Sequence, residues 1–153
     1  MPRVVHVYWT FPKTFESAIC CDEANGLGVY QIYRQFGSCR TLLYIGLVKS
    51  DQRDFYIRMN EHRKDWLSTK RGVIYIRFGY IRGFRGTPMT TTLIEEVEGA
   101  LIFAMQPPEN SRKRFSYTRR EDLIVKNFGY RGDVPRAIDT TEHRAIGCRP
   151  CFI

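Results

Sequence analysis

The sequence has no apolar run that approaches the length of a membrane span, which needs about 18 such residues in succession, and it has no internal repeat or low-complexity linker. Its first residues carry charge early and lack the pattern of a cleaved signal peptide. The five cysteines are an odd number, which argues for reduced thiols rather than a disulfide framework. These absences predict a cytoplasmic protein that does not contact a membrane.

A zinc site is also disfavoured. Cys148 and Cys151 form a C-x-x-C pair, but a structural zinc ion needs four ligands. Only the adjacent Cys20 and Cys21 could supply a second pair, and neighbouring cysteines chelate poorly beside a C-x-x-C. Free thiols are therefore predicted.

Acidic residues are outnumbered, 16 against 24 Lys and Arg, which gives the 153 residues a net charge of +8. The excess is concentrated at 56–86, with +6, and at 111–153, with +5, whereas 87–110 carries −4. Such basic segments suit a phosphate-rich partner, although they are equally typical of a solvated surface. The length and the apolar fraction of 43% predict one folded domain and exclude a disordered chain.

Hydrophobic periodicity predicts an α+β domain. The turn signal Gly37-Ser38 joins two strand-like runs into a hairpin. A capping box, Thr92-x-x-Glu95, is expected to open a helix that is stopped by Pro107-Pro108. The predicted elements are strands at Val4–Trp9, Gly28–Tyr33, Thr41–Val48 and Val73–Ile81, helices at Asp51–Leu67 and Thr92–Gln106, and a short amphipathic segment at Asp122–Phe128.

Glu98 interrupts an otherwise apolar helix. A carboxylate there is costly to bury unless a cation or several donors meet it. Glu98 therefore either binds a metal ion at the floor of a cleft, or pairs with an arginine or faces solvent. Arg58 and His62 stand at i and i+4 of the preceding helix and share one face, where a phosphate could lie between them. That face could equally be an exposed charged one.

The hairpin resembles the GIY-YIG nuclease family. Gly28-Val29-Tyr30 and Tyr44-Ile45-Gly46 are similar to its two triplets, with Val29 where the family usually has Ile. The resemblance covers about 27–110 and leaves extensions at 1–26 and 111–153. Thirteen residues separate the two tyrosines, slightly more than is usual in the family, which suggests a longer hairpin turn. The matching catalytic positions are Tyr30, Tyr44, Arg58, His62, Glu98 and Asn110.

The resemblance implies a small three-stranded antiparallel sheet flanked by helices. It also implies a Mg²⁺-dependent DNA endonuclease, monomeric or homodimeric, of the restriction or mobile-element type and acting at specific sites in duplex DNA. Glu98 would hold the single Mg²⁺ ion, for which Mn²⁺ can substitute, and Arg58 would stabilise charge on the phosphate. Tyr30 would orient or deprotonate the attacking water, with His62 as a proton relay. Tyr44 and Asn110 would position the phosphate and the wall of the cleft.

Basic residues outside the motifs are predicted to contact DNA phosphates, with solvated surface charge as the alternative. Three other functions stay open: a catalytically silent nucleic-acid-binding module, a structure-specific or RNA-directed nuclease, and a thiol- or zinc-based interaction protein. The predicted contacts are Lys70, Arg71, Arg82, Arg85, Arg112, Lys113, Arg114, Arg119 and Arg120.

Overall fold

A mixed α/β fold is seen in the computed structural model, which describes residues 2–48, 52–84 and 87–145. Its centre is a seven-stranded sheet in the order β4-β3-β5-β1-β6-β7, with the short β2 paired to β5. The strands are β1 Arg3–Trp9, β2 Lys13–Thr14, β3 Gly28–Phe36, β4 Cys39–Val48, β5 Val73–Gly83, β6 Leu123–Gly129 and β7 Ala137–Asp139. The helices are α1 Phe15–Ile19, α2 Gln52–Asp65, α3 Thr91–Met105 and α4 Glu142–Ala145, with 3₁₀ turns at Asp22–Asn25 and Leu67–Thr69.

The expectation of a small three-stranded sheet with terminal extensions is wrong. The predicted hairpin and third strand do pair antiparallel as β4-β3-β5, but β1 continues that sheet antiparallel to β5, and β6 continues it parallel to β1. Both supposed extensions therefore supply strands. The amphipathic segment at 122–128 is strand β6.

The parallel pairing of β1 with β6 is stabilised by a buried alternating face. Val5, Val7 and Trp9 are buried on β1, as are Leu123 and Val125 on β6. Across the pair, the Trp9 indole N–H donates to Asn127 Oδ1 at 2.9 Å. Burial of apolar side chains on both strands supplies the driving force for a pairing between segments more than a hundred residues apart.

Helix α3 covers one side of the sheet, and α1 and α2 cover part of the other. Val97 and Leu101 of α3 join the core formed with β1 and β6. Phe55 and Met59 of α2 pack with Ile32 and other residues on the opposite side. The hairpin therefore lies between two helical layers, which brings its side chains close to both α2 and α3.

The boundaries of α3 differ from the predicted ones at its start. Thr90 is the N-cap, and its hydroxyl accepts a hydrogen bond from the Leu93 N–H at 3.1 Å. The predicted capping box at Thr92 is therefore wrong by two residues. The helix ends as predicted before the two prolines, with Gln106 in the left-handed conformation at φ 51°. Within the described ranges, no helix has the length and apolar character needed to cross a bilayer.

Candidate active site

Two hairpin tyrosines lie side by side because a glycine leaves room for them. Tyr30 pairs in register with Gly46, and its ring centroid is 6.1 Å from that of Tyr44. A Cβ atom at Gly46 would lie 2.8 Å from Cε1 of Tyr44 and would also overlap the Tyr30 phenol. Gly28 has a similar role on the other side, where a Cβ atom would collide with the Gly79 carbonyl of β5. Both motif glycines are thus required by close packing around the tyrosines and their strand.

His62 of α2 connects Tyr30 to Trp66. The Tyr30 hydroxyl lies 3.3 Å from His62 Nε2, and the Trp66 indole N–H donates to His62 Nδ1 at 3.2 Å. An indole nitrogen can only donate, so Nδ1 must be the acceptor. In the neutral imidazole the proton is therefore on Nε2, and it is donated to the Tyr30 oxygen. Both ring nitrogens of His62 are engaged.

Burial keeps the His62 ring neutral. Burial, reinforced by the charge of Arg58, lowers the pKa of His62 to about 4. Burial also raises the pKa of Tyr30 well above its usual value near 10, and neighbouring Tyr44 adds to this, while Arg58 opposes it. Tyr30 has no exposed surface. In this arrangement the neutral phenol and the neutral imidazole are the stable forms near pH 7.

Arg58 is a cation that acts on both hydroxyls, since its charge lowers the pKa values of Tyr30 and Tyr44. It stands one turn before His62 on α2 and is partly buried. Burial lowers the pKa of its guanidinium, but the oxygens of Tyr30, Tyr44 and Glu98 raise it above the usual range. Burial raises the pKa of Tyr44, and Arg58 counteracts this rise. Arg58 therefore stays charged and is positioned to meet a further anion.

Glu98 is buried on α3 and paired with a lysine. Its side chain is 8% exposed, and Oε2 lies 2.6 Å from Lys113 Nζ. Burial raises the pKa of the Glu98 carboxyl, although Lys113 and Arg58 both lower it. The ion pair that the sequence allowed for Glu98 is therefore made with a lysine rather than with an arginine. Lys113 adopts a left-handed backbone at φ 66°, which few residues with side chains do.

Asn110 completes the outer edge of β4. Its Oδ1 accepts from the Ile45 N–H and its Nδ2 donates to the Ile45 carbonyl, both at 2.9 Å. The neighbouring Glu109 N–H donates to the Leu43 carbonyl at 3.0 Å. The amide of Asn110 thus imitates a strand residue and holds the strand that carries Tyr44. Asn110 is 5% exposed, so its contribution here is to position the hairpin.

Glu98 is the carboxylate that the converging side chains offer to a metal ion. Among the described residues there is no group of three or more His, Cys, Asp or Glu side chains suited to a metal. Mg²⁺ does not require such a group, because it commonly binds through one or two carboxylates together with waters and substrate phosphates. Glu98 fits that pattern, and a bound ion would share its carboxylate with Lys113 or displace the lysine.

The predicted DNA-contacting residues have different surroundings. Lys70 pairs with Glu109 at 2.8 Å, and Lys113 is engaged with Glu98. Arg119 is 2% exposed and donates to the Tyr117 hydroxyl, so it stabilises the interior rather than a surface. Arg85 lies outside the described residues, as do Cys148 and Cys151. Arg114 is partly buried, and the exposed members are Arg71, Arg82, Arg112 and Arg120.

Two residues around the site were not assigned to it from the sequence. Trp66 follows His62 by four residues, a spacing that places the two side chains on one face of a helix and that could have suggested their contact. Lys113 was assigned to DNA, and no local pattern links it to Glu98 fifteen residues earlier. Comparison of the chain with protein-family models, with curated proteins and with solved structures finds no match in any of the three.

Proposed function

We propose that the protein is a Mg²⁺-dependent endonuclease that hydrolyses phosphodiester bonds in DNA at specific sites in the cytoplasm. The observation that carries this proposal is the convergence of five side chains from four separate elements. Tyr30, Tyr44 and His62 are in direct contact, and Arg58 and Glu98 both influence the pKa values of the two hydroxyls. The resemblance to the GIY-YIG family, which rests on the sequence motifs, gives the same assignment.

Charge stabilisation would come from α2 and α3. Arg58 is partly exposed and cationic, and its planar guanidinium matches two phosphate oxygens. It would bind the scissile phosphate and stabilise the charge that develops on its oxygens. Glu98 would hold the Mg²⁺ ion, which when bound supplies a Lewis acid for the phosphate.

The tyrosines would organise the nucleophile. His62 Nε2–H donates to the Tyr30 oxygen, and a donated hydrogen bond stabilises a phenolate more than a phenol. His62 would therefore assist Tyr30 as a donor, and with both nitrogens engaged it is poorly placed to accept the proton of Tyr30. Tyr30 is buried, so water reaches its hydroxyl only after neighbouring side chains move, and the partly exposed Tyr44 would meet the substrate first.

A catalytically silent nucleic-acid-binding module is the second candidate. The Lys113–Glu98 ion pair favours it, because an internal cation already neutralises the carboxylate that the metal would use. The burial of Tyr30 favours it as well.

Incubation of supercoiled and linear DNA with the protein, in Mg²⁺, Mn²⁺ or EDTA, separates the two candidates. We expect discrete fragments in either metal and none in EDTA. Glu98→Gln and Arg58→Ala should each abolish the fragments. Glu95→Gln, on an exposed carboxylate of the same helix, and Arg63→Ala, on an exposed arginine of α2, should retain them. Binding without fragments in every metal would overturn the endonuclease and support the silent module, and RNA cleavage in preference to DNA would overturn the assigned substrate.

A further inference from the structure

On the side of the sheet that carries Tyr30, large aromatic side chains are exposed on the neighbouring strands β1 and β6. Along β1, Val5, Val7 and Trp9 are buried, whereas Tyr8 is 41% exposed. Its partner on β6, Phe128, is 39% exposed. Phe84, which follows β5, is 38% exposed. Single exposed aromatics are ordinary, but several on adjacent strands form a patch that usually marks an interaction site.

The rings form a continuous row. His6 stacks with Phe84 at 4.9 Å and 20° between planes, and it contacts Phe128 edge-on at 5.0 Å. Phe128 in turn stacks with Tyr8 at 5.2 Å and 19°. We call these four residues, His6, Tyr8, Phe84 and Phe128, the aromatic row. Mutual packing fixes the orientation of the rings, so binding to them costs little side-chain entropy.

Basic residues flank the aromatic row on both sides. Arg82 pairs in register with His6 across β5, and its guanidinium carbon lies 5.6 Å from the centroid of the Tyr8 ring. Lys126 pairs in register with His6 across β6 and is exposed. A shallow depression beside Phe128 is lined in addition by Arg131 and Arg136.

On the neighbouring strand β7, the carboxylate of Asp139 is already engaged. Asp139 lies two residues along β7 from Ala137, the partner of Lys126. Its Oδ1 accepts from the Thr141 N–H and hydroxyl at 2.9 and 2.7 Å. Among the described residues, neither Arg82 nor Lys126 takes part in an ion pair, so their positive charge is available to an external anion.

We propose that the aromatic row, with Arg82 and Lys126, binds single-stranded nucleic acid. Exposed rings on a sheet stack with unpaired bases, and flanking cations bind the phosphates between them. Duplex DNA does not fit, since its bases are stacked on one another. A second copy in a two-fold dimer would bring Arg82 and Lys126 towards their own copies, and like charges would repel.

The aromatic row differs from the cleavage site in its residues and in what binding requires. Phe78 of β5 pairs with Tyr30, and Tyr80 two residues later pairs with Tyr8, so both sites lie on the same side of the sheet. A strand unpaired near the cleaved bond could therefore extend to the aromatic row. Binding there needs neither Glu98 nor a metal ion, so it can be measured where cleavage is abolished.

Fluorescence anisotropy of a labelled twelve-nucleotide oligothymidine, titrated with the full chain carrying Glu98→Gln in EDTA, tests the proposal. Loss of one stacked ring is expected to weaken binding by about five- to 150-fold, from the measured contribution of base stacking. Phe128→Leu and Tyr8→Leu should show this loss, since leucine keeps apolar volume but has no π face. Phe36→Leu, which removes a 54% exposed ring at the hairpin tip, should not. A duplex of the same length should bind Phe128→Leu, Tyr8→Leu and the parent with equal affinity. Oligouridine in place of oligothymidine shows whether RNA is also bound.

Several results would contradict the proposal that the aromatic row binds single-stranded nucleic acid. Equal affinity of Phe128→Leu and Phe36→Leu for the oligomer would mean that the rings do not contact bases. If Phe128→Leu and Tyr8→Leu lost as much affinity for the duplex as for oligothymidine, the face would be a surface that does not distinguish single strands from duplex. A dimer in sedimentation that Phe128→Leu dissociates would mean that a second copy occupies the face. Thermal unfolding of each variant checks that it is folded, and Arg82→Gln, which leaves every ring in place, should reduce the salt dependence of oligothymidine binding by about 0.7 for one phosphate contact.

Discussion

Three aromatic side chains surround His62 and determine where its proton lies. Trp66 donates to Nδ1, Tyr30 faces Nε2, and the ring centroid of Tyr44 is 4.5 Å from that of the imidazole. A histidine in this environment differs from a freely titrating general base, because gaining a second proton would break the bond from Trp66. The direction of the hydrogen bond between His62 and Tyr30 therefore depends on Trp66, which is itself hydrogen-bonded to His62.

Trp66→Phe should release that constraint. Without the indole donor Nδ1 can carry a proton, so the His62 pKa should rise above about 4, while burial and the charge of Arg58 still keep it below the usual 6.5. Long-range ¹H–¹⁵N correlation spectra across pH report both the tautomer and the pKa. His143, whose Nδ1 lies 2.6 Å from the Tyr117 hydroxyl, and His6 serve as internal controls that should not change.

The same variant distinguishes two roles for His62. If His62 acts as donor to Tyr30, Trp66→Phe should slow cleavage, because the Nε2–H tautomer is no longer enforced. If His62 is the proton acceptor, the freed tautomer should preserve or raise the rate. Unchanged His62 signals in the variant would mean that Trp66 does not control the tautomer in solution.

At the scale of elements, the edge of β4 is closed by a loop rather than by a strand. The segment 107–110 follows α3 directly, and Asn110 makes two hydrogen bonds to the main chain of Ile45. The turn after α3 thereby connects the helix that carries Glu98 with the strand that carries Tyr44.

Asn110→Ala should weaken that connection. It leaves the buried N–H and carbonyl of Ile45 without these partners, which costs about 1–3 kcal/mol for an unsatisfied group. Urea unfolding measures the loss, and faster hydrogen exchange at the Ile45 amide locates it. Ser111→Ala, on the exposed neighbouring residue, should change neither. An unfolding free energy equal to that of the parent would show that the edge is held in another way.

Local sequence patterns predicted the helices and strands, but they did not predict which distant segments pair with each other. The hairpin and both long helices were predicted because turn glycines, proline stops and helical periodicity act over a few residues. Thr90 and Thr92 are equally good caps by composition, so the choice between them depended on packing. The pairing of β1 with β6 has no turn to signal it, and the approach of Lys113 to Glu98 depends on a left-handed backbone that no periodicity reports.

Across the whole molecule, α3 contains two buried carboxylates in contrasting environments. Glu96 accepts hydrogen bonds from Arg3 at 2.8 Å and from the main chain of Arg120, so it joins β1 and the segment before β6 to the helix. Glu98 has the Lys113 ion pair, yet burial still raises its pKa. Glu96 stabilises the fold. For Glu98, burial destabilises the ionised carboxylate by more than Lys113 stabilises it.

Glu98→Gln should therefore leave the free energy of unfolding within about 1 kcal/mol of the parent at pH 7 or raise it, whereas Glu96→Gln should lower it by ~1.5–3 kcal/mol, as expected for losing a charged hydrogen bond. The sign of the pH dependence follows from linkage. A carboxyl whose pKa is raised in the fold takes up its proton before the unfolded chain does, so as pH falls towards the ordinary value of 4.5 the parent gains stability relative to Glu98→Gln. Urea unfolding of both variants between neutral and acidic pH measures the difference. A Glu98→Gln protein as destabilised as Glu96→Gln, with no convergence on acidification, would mean that Glu98 and Lys113 form a structural ion pair rather than a carboxylate held for a metal.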